Sequence, residues 1–201
     1  MHRVGVLLAG CGVHDGSDIH ETVLLALALE RAHVRVVYLA PPGDQAAVID
    51  HSTGGAEGPA PPRSMLVESA RLARGRIEPF DARTAADLAA LVIPGGTGLW
   101  TNLVEDVLVA GRKARLGPAV GDRLLALRAR GAPVATIGVG HAVLDALGED
   151  LGVDPLTAVP YHAVVDAGRR LAWTPGFLAA RNLDEAARGI DELVRGLVAM
   201  L

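Results

Sequence analysis

The chain has 201 residues, 50% of them hydrophobic, and a formal charge of −4, which is the composition of a folded protein and not of a disordered one. Its length fits one domain spanning residues 1–201, because domains commonly contain about 100–200 residues. The basic residues are scattered and form no run of the kind that predicts binding to nucleic acid. A single cysteine, Cys11, excludes an intramolecular disulfide and a cysteine-rich zinc site.

Cellular location is predicted from the same features. No stretch approaches the roughly 20 apolar residues that a membrane-spanning helix needs. The apolar start, Val4 to Ala9, is too short for the core of a signal peptide and runs directly into glycines. We therefore expect a cytoplasmic protein that makes no membrane contact.

Short β-branched runs alternate with longer amphipathic stretches, a pattern typical of an α/β protein with a parallel sheet. Strands are predicted at Arg3–Ala9, Val34–Leu39, Ile77–Phe80, Leu91–Ile93, Val134–Ile137, Tyr161–Val165 and Leu171–Trp173. Helices are predicted from Ser17 or Asp18 to about Ala32, at Arg63–Ala73, at Pro118–Arg130, from His141 to about Leu147, and at Leu183–Ala199. Residues 51–62 are rich in turn formers, which indicates an exposed loop or a small hairpin. We predict a flavodoxin-like three-layer sandwich.

The first chemical motif is GCGVHDGSDIHE, from Gly10 to Glu21, which joins the first strand to the first helix. Ligands of open α/β sheets bind beyond the carboxyl ends of the strands, and amide groups at a helix start favour anions. The motif is not a dinucleotide fingerprint, because its third glycine is out of place and no acidic residue ends the second strand. A glycine-rich turn before a capped helix is the alternative interpretation.

Two further motifs follow later strands. In LVIPGG, Pro94 ends the strand and two glycines let backbone amides approach a ligand closely, although a plain turn has the same pattern. In PVATIGVGHAVL a strand turns sharply into a helix, which is the layout of a nucleophile elbow. The residue at the turn is Gly138, and it has no side chain with which to attack a substrate.

These three motifs, in this order, resemble the ThiJ/PfpI superfamily, whose fold is that of the class I glutamine amidotransferase domain. The opening loop is very similar to that of the ElbB branch, often labelled isoprenoid-biosynthesis glyoxalase. The segment IDHSTGG, from Ile49 to Gly55, and the ending TPGFLAARNLDEAARGIDELV also match that branch. The similarity covers nearly the whole chain and is broken at about residues 148–166, where this chain is shorter.

The resemblance implies a reactive cysteine at the elbow, where this chain has Gly138. It also implies a glutamate early in the first helix that hydrogen-bonds to that cysteine, and the matching residue is Glu21. Oxyanion-binding amides are implied at Gly95 or Gly96 and at Val139. The glutamate and the amides are thus expected to be retained while the nucleophile is missing.

Cys11 lies on the same rim and is a candidate substitute nucleophile, but a buried structural thiol is the expected role, because the ElbB branch has a cysteine there as well. His14 and His20 flank the opening loop, and His141 follows the elbow as a pocket wall or a weak general base. No pair of these histidines has the spacing of an H-E-x-x-H zinc site, so we predict neither a metal nor a cofactor.

We therefore expect a protein that binds a small anion or carbonyl compound, or acts as an accessory protein, through the former active-site pocket. The alternative is a glyoxalase-like or hydrolase enzyme for small carbonyl compounds that uses Glu21 with Cys11 or His141. A structural or regulatory dimer partner is the third hypothesis.

A homodimer is expected because dimers are usual in the superfamily and because the segment Leu103–Val109 carries few charges. The predicted ligand-contacting residues are Cys11, His14, His20, Gly95, Gly96, Gly138 and Val139.

Overall fold

The structure is a computed structural model and describes residues 1–56, 58, 61–105, 115–149, 151–154 and 157–201. Its strands are β1 (Arg3–Leu7), β2 (Arg35–Ala40), β3 (Ile49–Asp50), β4 (Gly55–Ala56), β5 (Ile77–Pro79), β6 (Ala90–Ile93), β7 (Val104–Glu105), β8 (Arg115–Leu116), β9 (Val134–Ile137), β10 (Val164–Asp166) and β11 (Leu171–Thr174). Its α-helices are α1 (Ile19–Arg31), α2 (Met65–Leu72), α3 (Ala82–Ala86), α4 (Thr97–Leu103), α5 (Pro118–Ala129), α6 (His141–Ala146) and α7 (Leu183–Ala199). Short 3₁₀ turns occupy Gly138–Gly140 and Gly176–Leu178.

Seven strands form one sheet in the order β10-β11-β9-β6-β1-β2-β5. All neighbouring pairs are parallel except β10 and β11, which form an antiparallel pair at one edge. Two hydrophobic clusters cover the two faces of this sheet. The mostly parallel flavodoxin-like sandwich predicted from the sequence is therefore confirmed.

The interior strand β1 shows why the sequence folds in this way. Its residues are buried on both faces, with Leu7 packed in one cluster and Val4 and Val6 in the other. A continuous apolar run is what a strand covered on both faces requires. One face is covered by α1 and α7, which pack against each other, and the other by α4, α5 and α6.

Helix starts follow the predicted caps. The Asp18 side chain accepts a hydrogen bond from the Glu21 amide at 2.9 Å, and α1 begins at the next residue. The Asn182 side chain accepts one from the Glu185 amide, also at 2.9 Å, and α7 begins at Leu183 as predicted. The predicted hairpin within residues 51–62 is present in part as the antiparallel pair β3–β4.

The structure differs from the prediction in several short elements. Helices α3 and α4 and the β7–β8 pair were not predicted, because each is too short to display a hydrophobic period. Strand β10 begins at Val164 and not at Tyr161, whose ring instead lies under the Arg188 guanidinium on α7. In the predicted dimer segment Leu103–Val109, residues 106–109 lie outside the described residues, and Leu103 is buried in the core.

In the described part of the chain, no helix combines the length and the apolar composition required to cross a membrane.

Candidate functional site

Glu21 lies in the first turn of α1 and is only 2% exposed. Its Oε2 accepts a hydrogen bond from the Gly95 amide at 2.7 Å, and its Oε1 accepts one from the Phe177 amide at 2.8 Å. Gly95 follows β6 and Phe177 follows β11, so one carboxyl group joins α1 to the carboxyl ends of two strands. This is the edge of the sheet at which ligands of α/β proteins bind.

Three glycines enclose the Glu21 carboxyl group. A Cβ atom placed on Gly95 or Gly176 would collide with its oxygens, so neither position has room for a side chain. A Cβ atom on Gly138 would lie 3.2 Å from Oε1 and 3.5 Å from Oε2. The structure thus places Glu21 directly beside the elbow, as the resemblance implied.

Burial raises the pKa of Glu21 from its ordinary value of 4.5 to about 7. The Phe177 amide opposes this rise, the neighbouring Asp18 carboxylate adds to it, and the Gly95 amide opposes it in turn. A carboxyl group with a pKa near neutrality exchanges its proton at physiological pH. It is therefore suited to donating a hydrogen bond to a bound carbonyl oxygen or to accepting a proton.

The elbow itself is the turn from β9 into the 3₁₀ segment Gly138–Gly140 and then into α6. Gly138 has a φ of 55°, in the left-handed region that favours glycine. Its carbonyl oxygen lies 3.0 Å from Trp173 Nε1, which donates a hydrogen bond, and 3.0 Å from His141 Nδ1. Two side chains from outside the turn thus hold the elbow in place.

The imidazole of His141 does not face the Glu21 carboxyl group, as a general base working with Glu21 would. Its Nδ1 is bonded to the Gly138 carbonyl, and its Nε2 lies 3.7 Å from the Asp145 carboxylate one turn along α6. With Nδ1 donating to a carbonyl, the remaining nitrogen faces Asp145 and not the Glu21 carboxyl group. The geometry shows His141 orienting the elbow, and the general-base role stays a prediction.

Of the backbone amides predicted to bind an oxyanion, the structure removes the amide of Gly95. The Gly95 amide donates to Glu21, so it is not free to stabilise an oxyanion. Gly96, with a φ of 108°, packs so closely on the Gly16 carbonyl that no Cβ atom would fit. Gly96 and Val139 therefore remain as the candidate backbone donors to a ligand, with Val139 inside the elbow turn.

Cys11 is half-buried in the loop between β1 and α1, where it pairs with Ser17 in a short bridge. Burial raises the pKa of its thiol, and the Glu68 carboxylate raises it further, against the smaller opposing effect of Arg71. The thiol therefore stays protonated at neutral pH and is a poor nucleophile. This agrees with the expectation of a structural thiol.

The other two loop histidines point to different neighbours. The ring of His14 lies 5.0 Å from the ring of His51, and the His14 amide donates to His51 Nε2 at 3.3 Å. His51 in turn lies 3.6 Å from the buried Asp15 carboxylate, so His14 faces the β3–β4 hairpin. His20 is exposed on α1, with its ring 5.9 Å from that of Phe177 at the Glu21 site.

Sequence reasoning missed Phe177 and Trp173, which act through a backbone amide and an indole nitrogen respectively. The sequence pointed to Phe177 only through the TPGF segment that matched the ElbB branch. A contact made by a backbone amide can be made by almost any residue type, so it leaves no pattern in the sequence.

Among the described residues, no group of three or more His, Cys, Asp and Glu side chains is placed to hold a metal ion.

Known proteins resemble this chain over part of its sequence. No family model matches the chain. The chain is 38% identical over 133 residues to the human protein "Glutamine amidotransferase-like class 1 domain-containing protein 3, mitochondrial", a match that covers 66% of this chain and 48% of that protein. It is 43% identical over 101 residues to the rat "ES1 protein homolog, mitochondrial", covering 50% of this chain and 38% of the relative. The chain thus matches about half or less of the length of these two relatives.

Solved structures extend the similarity over the whole chain. An isoprenoid biosynthesis protein with an amidotransferase-like domain from Ehrlichia chaffeensis superposes with a TM-score of 0.88 at 28% identity, covering 99% of this chain and all of that one. A DJ-1 superfamily protein from Salmonella typhimurium shares the fold, with a TM-score of 0.55 at 22% identity, and covers 92% of this chain and 84% of that one. The fold is therefore that of class I glutamine amidotransferase-like proteins. Proteins of the DJ-1 superfamily share this fold.

Proposed function

We propose that this protein binds a small anion or carbonyl compound at the site formed by Glu21, Gly96, Gly138 and Val139, as a binding or accessory protein without cysteine catalysis. The observation that carries the proposal is Gly138 itself, which occupies the elbow directly beside the buried Glu21 carboxyl group and offers no nucleophile. Covalent catalysis by a thiol requires a sulfur atom at the point of attack. Binding requires only donors and shape, and the donors at this site belong to the backbone and to Glu21.

Glyoxylate is a suitable probe because it combines a carbonyl group with a carboxylate. We expect that adding it to the ¹⁵N-labelled protein shifts the amide resonances of Gly96, Gly138 and Val139. The Cys11→Ser variant serves as a matched control and should show the same shifts, because the thiol lies among Glu68, Arg71 and Asp15 and not beside Glu21. Saturating glyoxylate without any movement of these three resonances would refute the proposed site.

A second candidate is an enzyme acting on small carbonyl compounds, glyoxalase-like or hydrolytic, with Glu21 as the proton-transferring group. The observation that favours it is the pKa of Glu21, raised by burial to about 7, which suits proton transfer at neutral pH. The two candidates differ in whether the protein turns over methylglyoxal: the binding protein does not, and the enzyme does.

We propose that the protein forms a homodimer and that the outer face of α1 contributes to the interface. Ile19, Val23 and Leu27 are 46%, 54% and 42% exposed and recur every four residues, so they form one apolar stripe. Isologous dimers use one self-complementary patch on both copies. Light scattering should report a dimer for the wild type and a monomer for Val23→Asp. A wild-type monomer at high concentration would contradict the proposal.

A cytoplasmic location also remains a proposal, supported by the single reduced cysteine. The human and rat relatives carry the word mitochondrial in their names. Fractionation of cells that express the protein distinguishes the two locations, and recovery with an organelle fraction would contradict the proposal.

A further inference from the structure

Two adjoining cavities lie between the end of α1, strand β2 and the connection from α2 to β5. The first has a volume of about 480 Å³ and the second about 420 Å³, and Glu30, Tyr38 and Arg76 line both. Volumes of this size match those of small-molecule sites. Neither cavity contains Glu21 or the elbow glycine in its lining.

The first cavity exists because two paired strands differ in length. Strand β5 pairs only with the segment from Tyr38 to Ala40 of β2. The earlier part of β2, from Arg35 to Val37, pairs with β1 on one side and lines the first cavity on the other. An open strand edge presents backbone amides and carbonyls, so this wall of the cavity can hydrogen-bond to a ligand.

Three arginines line the cavities, namely Arg35, Arg74 and Arg76. In the described part of the chain none of the three forms an ion pair, whereas the nearby Arg3 pairs with Glu78 at 3.7 Å and Arg71 with Glu68 at 2.9 Å. The helices α1 and α2 end here, but each helix end carries only about half a negative charge. Two carboxylates, Glu30 and Glu78, also line the cavities, and Glu78 is the one paired with Arg3. Within the described ranges, three arginines thus face one unpaired carboxylate, and the side-chain charge here is positive on a chain whose net charge is −4.

Two other groups complement the arginines. Burial raises the pKa of the Tyr38 hydroxyl, and Glu30 raises it further, so this group stays protonated and available as a donor. Glu30 supplies a carboxylate acceptor on the wall shared by the two cavities. A ligand that satisfies the whole site thus has an anionic end for the arginines and hydroxyl groups for Glu30.

We propose that these adjoining cavities bind a small organic phosphate. Arg76, which lines both cavities, holds the phosphate together with Arg35 in the first cavity or Arg74 in the second, and Glu30 and Tyr38 bond to hydroxyl groups of the organic part. Guanidinium groups bind phosphate through paired hydrogen bonds, which is why arginine suits this role better than lysine. The proposal is independent of the function proposed for the Glu21 site, because the two sites share no lining residue.

The test uses calorimetric titration of the full chain with ribose 5-phosphate, with ribose and inorganic phosphate as separate arms. We expect ribose 5-phosphate to bind more tightly than inorganic phosphate, and ribose to show no binding. The Arg76→Ala variant, which alters both cavities, should weaken binding about tenfold or more, because it removes charged hydrogen bonds. Glu30→Gln should reduce the preference for ribose 5-phosphate over inorganic phosphate.

The matched control is Arg195→Ala on α7, an exposed arginine that lines neither cavity. It should bind ribose 5-phosphate as the wild type does. If the arginines serve only to neutralise the helix ends, Arg76→Ala lowers the melting temperature while the wild type shows no binding, and this result overturns the proposal. Equal binding of ribose and ribose 5-phosphate, or equal weakening by Arg76→Ala and Arg195→Ala, overturns it as well.

Discussion

Glu21 and Cys11 both lie beyond the carboxyl end of β1, yet their surroundings have opposite electrostatic character. The Glu21 carboxyl group is met by two backbone amides, whereas the Cys11 thiol lies among the charges of Glu68, Asp15 and Arg71. Burial raises both pKa values, but for the acid this brings proton exchange to neutral pH, and for the thiol it suppresses the reactive thiolate. Proximity to the ligand-binding edge of the sheet is therefore not sufficient for reactivity, because the neighbouring groups decide it.

The largest expected effect concerns the two amides that Glu21 satisfies. In Glu21→Leu the buried amides of Gly95 and Phe177 lose their acceptor, at a cost of about 1–3 kcal/mol each. In urea unfolding at pH 5, the free energy of unfolding of Glu21→Leu should be lower than that of the wild type by the sum of these two costs. Glu30→Leu, on the exposed face of the same helix, is the matched control and should change the free energy of unfolding by less than about 0.5 kcal/mol. Similar losses in the two variants would show that Glu21 is not the link between these loops.

A pH dependence follows from the raised pKa of Glu21. Because the folded value, about 7, exceeds the ordinary 4.5, the protonated group favours the folded state. This contribution is fully present below pH 4.5 and is lost as the pH rises to 7, by about 3 kcal/mol. The free energy of unfolding should thus fall between pH 4.5 and 7 in the wild type relative to Glu21→Gln. Parallel pH profiles for the two proteins would mean that Glu21 titrates as an exposed carboxyl group does.

Restoring a thiol at the elbow sharpens the comparison with Cys11. A cysteine at a φ of 55° is strained, so Gly138→Cys should lower the free energy of unfolding by about 1–3 kcal/mol. The new side chain would lie beside the Glu21 carboxyl group, with its Cβ 3.2 Å from Oε1. Because the pKa of Glu21 is raised to about 7, this group can accept the thiol proton near neutral pH, and the new thiol should react with iodoacetamide faster than Cys11. Peptide mass spectrometry distinguishes the two sites within one protein. Equal labelling rates without any loss of stability would argue that residue 138 is not at an elbow.

The smallest expected effect is on methylglyoxal. Oxyanion donors without a nucleophile leave only a small acceleration, roughly 10³–10⁴-fold over water in serine proteases that lack their catalytic triad. The wild type should show no turnover above a buffer blank, and Cys11→Ser should change nothing. Turnover abolished by Cys11→Ser would place the nucleophile in the opening loop. Turnover that survives this change would point to Glu21 or His141 acting on water, and would favour the enzyme hypothesis.

The sequence predicts those parts of the molecule that depend on local pattern. Strand β9 and helix α7 have the predicted limits, because a β-branched run and an Asn182 cap mark them directly. Short α4 was missed, since its start at Gly96 has no side-chain cap and its seven residues show no period. At the site, Glu21 was located through the resemblance. Its Phe177 partner is 156 residues away and acts through its backbone, which no local pattern reveals.

The Gly138 carbonyl, held by Trp173 and His141, has a consequence for what a single mutation at residue 138 would change. These two side chains hold the elbow from outside its tip, so a cysteine at residue 138 would strain the turn without removing the bonds that hold it. Some glycine and cysteine codons differ by a single nucleotide. One mutation can therefore place a cysteine at the elbow of this chain while Glu21 and the surrounding framework persist.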